Sequence, residues 1–194
     1  MSTMIESTRR APKPTAGPAS STAAESTPPL SAQTPHRKAR SEPALSLAVQ
    51  YAVTANELPR WRLRRWAQRT LSSLPDAPSR TELTLRLVDQ HEGRQLNHDF
   101  RERDYATNVL TFEYGHDPDG TLRGDIVLCV PVLEREAREQ GKPLLHHAAH
   151  LTVHGVLHAV GHDHLEPAQA EAMEALETSI LASMGIPDPY AVQE

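Results

Sequence analysis

The chain has few apolar residues: of its 194 residues only 38% are hydrophobic, and the mean hydropathy is -0.51. A deficit of this kind implies that part of the chain does not fold. No run approaches the ~20 consecutive apolar residues that a membrane-crossing helix needs. The N-terminus also lacks the basic-then-apolar pattern of a secretory signal. Together these absences predict a soluble, cytoplasmic protein with no membrane partner. There is one cysteine, Cys129, which excludes an intramolecular disulfide and leaves the 11 histidines as the natural metal candidates. Cys129 lies in the apolar run Ile126-Val127-Leu128-Cys129-Val130 and reads as a buried structural thiol. Positive charge is short as well. The net charge of -5 argues against a protein that coats nucleic acid by bulk electrostatics. An enzyme with a few arginines in a local cleft remains compatible with it.

The missing apolar residues are missing mainly from one end. Residues 1–44 are rich in Ser, Thr, Pro and Ala, as in Pro12-Lys13-Pro14-Thr15-Ala16-Gly17-Pro18, and carry 6 basic against 3 acidic residues. Such a stretch cannot bury enough surface to offset its ordering entropy, so it reads as a disordered tail. Residues 45–194 form a single domain with 14 basic against 22 acidic residues, a balance of -8.

Within that domain Leu45 to Val53 alternates as a first strand, and Arg60 to Ser73 reads as a helix with Trp61, Leu63, Trp66 and Leu71 inward. Pro75 and Pro78 stop it. Thr81 to Val88 alternates strictly, and a short helix from about Gly93 to Phe100 follows. Asn108 to Tyr114 and Gly124 to Val130 read as two strands around a turn-rich Gly115 to Gly120, able to pair as a hairpin. Helices are expected at about Val132 to Gln140, His146 to Val160 and Pro167 to Met184, with Pro167 in a first turn and Gly185 as a cap. Strands first and helices later predict an α+β fold with a small mixed sheet.

The informative segment is His154-Gly155-Val156-Leu157-His158-Ala159-Val160-Gly161-His162-Asp163-His164. Residues four apart share a helix face, so His154 and His158 offer two imidazoles to one point. Gly161 lets the chain leave the helix and return with His164 as third ligand. Three imidazoles and a water form an open, catalytic zinc arrangement. Asp163 orients a ligand ring or caps the turn. His150, one turn earlier, takes a packing or supporting role, and His146, His147 and His162 read as exposed. The ligand spacing is that of long-motif zinc peptidases, but Gly155 replaces their general-base glutamate, which disfavours peptide hydrolysis.

With these residues on the page, the sequence resembles the YbeY family of bacterial rRNA maturation factors, whose signature is His-Gly-x-x-His-x-x-Gly-x-Asp-His. Further matching segments are Leu96-Asn97, Phe100-Arg101, Asp104 with Thr107-Asn108-Val109-Leu110-Thr111-Phe112, and Gly124-Asp125-Ile126. Coverage runs from about Leu45 to Met184. His162, Thr111 and Tyr105-Ala106 depart from the usual tyrosine, serine and residue-proline pair. The resemblance implies a single-strand-specific endoribonuclease with one Zn2+ held by His154, His158 and His164. It further implies Arg101 as the functional arginine and action in small-subunit rRNA 3′ end maturation and ribosome quality control. Ribosomal RNA and the small ribosomal subunit or its associated factors would be the partners. The arginine row Arg60, Arg62, Arg64, Arg65 and Arg69 reads as a solvated helix face or a guide for RNA. Two rivals stay open: another metal-dependent hydrolase, favoured if Glu113 or Glu166 reaches the metal's water, and a noncatalytic factor braced by zinc. Oligomeric state stays open too.

Overall fold

The computed structural model describes residues 42–162 and 166–191. The order is β1 (Ala44–Tyr51), α1 (Arg60–Ser73), β2 (Arg80–Val88), α2 (Gln90–Arg101), β3 (Val109–His116), β4 (Leu122–Cys129), α3 (Val130–Glu139), α4 (Leu144–Ala159) and α5 (Pro167–Ala182). The four strands form one mixed sheet in the order β1-β2-β4-β3. β1 and β2 run parallel, as do β2 and β4, while β3 and β4 form the expected antiparallel hairpin with a register shift between Glu113 and Gly115. The α+β architecture is therefore as the sequence predicts. Among the described residues no helix is long and apolar enough to cross a membrane. The expected disordered tail lies almost wholly outside the described residues. Ala44, assigned to it, instead opens β1, its amide bonded to the Ser79 carbonyl at 3.1 Å.

The main core joins Leu63, Trp66 and Leu71 of α1, Leu83, Leu85 and Ile126 of the sheet, and Leu151, Val156, Leu157, Ile180 and Leu181 of α4 and α5. Strand alternation puts Leu110 and Val127 on the opposite face, where they join Val88, Cys129 and Val132 under Leu96. Cys129 is buried as predicted. Trp61 is not inward: it is 58% exposed. Residues two apart on a helix do not share a face, so Trp61 cannot lie in the stripe of Leu63.

Two helix ends were displaced from expectation for local reasons. α2 starts at Gln90 because the Asp89 side chain accepts the Glu92 amide at 2.8 Å, satisfying one of the first-turn donors. It ends at Arg101 because Glu102 adopts left-handed backbone (φ 58), and the amides of Glu102 and Arg103 bond back to the carbonyls of His98 and Asn97. A side-chain-bearing residue is strained there. Glu102→Gly is expected to stabilise the protein by about 0.5–1 kcal/mol, because glycine adopts this turn at no steric cost. A lowered melting temperature would contradict the assignment.

The arginine row on α1 lies on a largely exposed helix face, as the sequence reads it, and several of its side chains also bond to the protein itself. Arg60, Arg64 and Gln68, spaced four apart, donate to the carbonyls of Val49, Leu45 and Pro43 at 3.0, 3.0 and 2.9 Å. Arg69 donates to Ser183 Oγ at 2.9 Å, and the Arg62 guanidinium sits 5.0 Å from the centroid of the Trp61 ring.

Candidate metal centre

α4 is buried continuously from His147 to Ala159, as expected of a helix that is apolar nearly all round. Two glycines seat it on the sheet. A Cβ on Gly155 would lie 2.8 Å from Ile126 Cγ2 and 3.4 Å from Thr111 Oγ1, and one on Gly124 would lie 3.2 Å from Ala159 Cβ. Gly155 thus has a packing reason for lacking a side chain that the sequence reading did not supply.

His154 and His158 are both buried on the last two turns, with ring centroids 4.5 Å apart. At Gly161 the backbone turns left-handed (φ 94), and the Gly161 amide bonds the His158 carbonyl at 2.9 Å, so the chain leaves the helix where the glycine predicts. The other expected members, Asp163 and His164, lie outside the described residues. Among the described residues no three His, Cys, Asp or Glu side chains form a set that could hold a metal.

A carboxylate the sequence reading missed lies beneath the pair. Glu177 of α5 is 1% exposed; its Oε1 accepts from His154 Nδ1 at 2.7 Å and its Oε2 from His150 Nε2 at 3.0 Å. The Tyr190 hydroxyl donates to the same Oε2. Burial pushes the Glu177 carboxyl up, but the hydrogen bonds from His150 and His154 outweigh it and hold the group well below the usual carboxylate range. The Tyr190 phenol is driven up by burial and by the Glu177 charge. An ionised carboxylate only accepts, so Nδ1 of His154 is the donor in this bond. Such an imidazole pair, one ring backed by a carboxylate, fits the donor chemistry of a zinc or similar ion.

His150 is buried in the supporting role expected of it. His147 is a correction: expected exposed, it is 3% exposed and donates from Nε2 to Glu136 Oε2 at 2.8 Å. Asn108 Nδ2 donates to the same oxygen at 3.0 Å, tying the start of β3 to α3 and α4. Burial raises the Glu136 carboxyl, but the His147 and Asn108 bonds prevail and lower it. His162 is exposed as expected and His146 is half-buried. Of the two glutamates named for the rival hydrolase, Glu166 is exposed and precedes α5, its amide bonded to Gln169 Oε1 at 3.0 Å. Glu113 runs beside the turn, its Oε1 3.6 Å from where a Gly161 Cβ would be.

Arg101 ends α2, next to Phe100, whose ring packs edge-on against Phe112 of β3 at 4.8 Å between centroids. The neighbouring Thr111 faces α4 at Gly155. Thr111 and Phe112 alternate across the strand, so Phe100 anchors the end of α2 on the face of β3 opposite α4.

The family model described as Endoribonuclease YbeY matches residues 49–185. The chain belongs to the YbeY family. It is 69% identical to an Endoribonuclease YbeY from Bordetella petrii, over 77% of this chain and 99% of that protein. A Bordetella avium relative of the same name is 63% identical over 79% and 98%, and one from Thiobacillus denitrificans is 54% identical over 76% and 97%. In fold the chain is similar to the solution structure of a Thermotoga maritima protein, with a TM-score of 0.50 and 20% identity, over 75% of this chain and 99% of that one. The YbeY match spans α1 to α5 entire, and so includes α4, Glu177 and Arg101.

Proposed function

We propose that this YbeY-family chain is a zinc-dependent hydrolase that cuts single-stranded RNA, acting in the cytoplasm on small-subunit ribosomal RNA during 3′ end maturation and ribosome quality control. Family membership makes an endoribonuclease of it and RNA its substrate. The observation that carries the zinc reading is the His154–His158 pair, buried and backed by Glu177, at the end of a helix that turns at Gly161. His154 and His158 would hold the ion, with His164 as third ligand. When bound, zinc supplies a Lewis acid and makes a water acidic near neutral pH. The chain's own part is to fix the rings, to keep the helix dry, and to present Arg101. A guanidinium grips two phosphate oxygens in parallel and offsets charge that grows as the phosphodiester breaks.

The peptidase alternative is disfavoured because the glutamate its pattern needs directly after the first histidine is replaced by Gly155, where a Cβ would already crowd Ile126. The deciding experiment uses purified protein and a single-stranded fragment of ribosomal RNA beside the same fragment in a duplex. Cleavage of the single strand, lost on chelation and restored by zinc, is expected. Cleavage that persists through exhaustive chelation would overturn the zinc reading, and no cleavage of either RNA would overturn the nuclease reading.

A further inference from the structure

The strongest unabsorbed feature is the buried polar knot between α4, α5 and the segment that follows α5. Glu177 receives three donors from three places: His154 one turn from the end of α4, His150 one turn earlier, and Tyr190 beyond α5. The Tyr190 ring also packs edge-on against His150, 5.3 Å between centroids, and its hydroxyl is 3.2 Å from His150 Nε2. The segment that delivers Tyr190 is itself tied down. Gly185 turns it (φ 75), and Asp188 Oδ1 accepts the Tyr190 amide at 2.9 Å and the Thr178 hydroxyl at 3.2 Å. Lys142, ahead of α4, donates to the Pro189 carbonyl.

Only one of these contacts touches an expected ligand, yet it decides what that ligand can do. A neutral imidazole presents one lone pair, and a metal is served only if the nitrogen facing it carries no proton. An acceptor fixed at Nδ1 settles the choice in favour of Nε2. The other oxygen of Glu177 is the one bound by His150 and Tyr190, which fixes the rotation of the carboxylate.

We propose that Glu177, held by His150 and Tyr190, is a positioning residue that sets the tautomer of His154, and that the segment after α5 thereby tunes the affinity of the metal centre. The inference rests on the reading of His154 as a ligand. A merely structural knot would brace α4 against α5 without affecting metal affinity, so three measurements on the full-length chain separate the two. The first is zinc affinity by competition with a chromogenic chelator. The second is thermal unfolding of the metal-free protein. The third is the nitrogen-15 shift of the His154 ring in the metal-free protein. Glu177→Gln keeps the shape but offers one accepting oxygen to three donors, and is expected to weaken zinc binding about 10–100-fold. Tyr190→Phe keeps the ring and removes one donor, and is expected to weaken it a few-fold with melting little changed. In the wild type the His154 proton should report on Nδ1, and in Glu177→Gln it should spread to Nε2. Unchanged affinity in both variants, or an unchanged His154 shift, would overturn the proposal. Should Glu177→Gln fail to fold, Tyr190→Phe decides alone. Wild-type protein that takes up no zinc at all would instead defeat the ligand reading itself.

Discussion

Gly155→Glu is expected to unfold the protein, not to turn it into a peptidase. The substitution would write a zinc-peptidase pattern into the segment from His154 to His158, and on sequence alone it looks like the gain of a missing base. The geometry reverses that expectation. The new Cβ would sit 2.8 Å from Ile126 Cγ2, and Ile126 is itself 1% exposed and packed in the core. Overpacking of this kind costs about 1–3 kcal/mol even for a methyl group. The carboxylate beyond it adds an unpaired buried charge, with a penalty of several kcal/mol. Against a total stability on the order of 5–15 kcal/mol, little would remain. Gly155→Ala gives the graded version. Its gain in helix propensity, about 1 kcal/mol, is outweighed by the clash, so melting should fall by several degrees at about 2–4 °C per kcal/mol. Removing the obstructing methyl with Ile126→Ala should make the double variant lose less than the sum of the singles. Thermal unfolding followed by circular dichroism reads all of these, and a stabilised Gly155→Ala would refute the account.

His158→Ala should abolish RNA cleavage and Arg101→Ala should cripple it, for separable reasons. Loss of His158 takes away one of two imidazoles whose rings stand 4.5 Å apart; zinc content and cleavage should vanish together while the fold persists. Loss of Arg101 should leave zinc content intact and reduce kcat by about 100–1000-fold, the usual consequence of removing one group that stabilises developing charge. Arg101→Lys should recover little, since an ammonium cannot make the paired bonds of a guanidinium. Initial rates on the single-stranded fragment, with metal measured in the same samples, give both answers. Full activity in either alanine variant would sink the mechanism.

The histidine pair and the turn that follows it were legible in the sequence. The four-residue spacing of His154 and His158 and the glycine at 161 report local geometry, and local geometry is what periodicity encodes. The hairpin, the mixed sheet and the buried thiol followed in the same way. What could not be read is anything that depends on which element lies opposite. Glu177 is 23 residues from His154, and nothing in the helical pattern of α5 says that α4 crosses beneath it. His147 was misplaced because α4 is buried on every side, so its period cannot separate inner from outer positions. The bonds that Arg60 and Arg64 make across to β1 were invisible for a related reason: their partners are backbone carbonyls, which carry no sequence signature at all.

Those carbonyls have a consequence for the molecule in the company of its own kind. The terminal strand of an open sheet offers a ladder of acceptors that invites any extended segment to dock and continue the pleat. At β1 the acceptors of Pro43, Leu45 and Val49 are already occupied by side chains reaching over from α1. An incoming strand would have to evict two guanidinium groups and an amide before it could pair. This flank is thereby hindered from pairing with an extended segment of another copy, by side chains of a helix face that otherwise looks merely solvated.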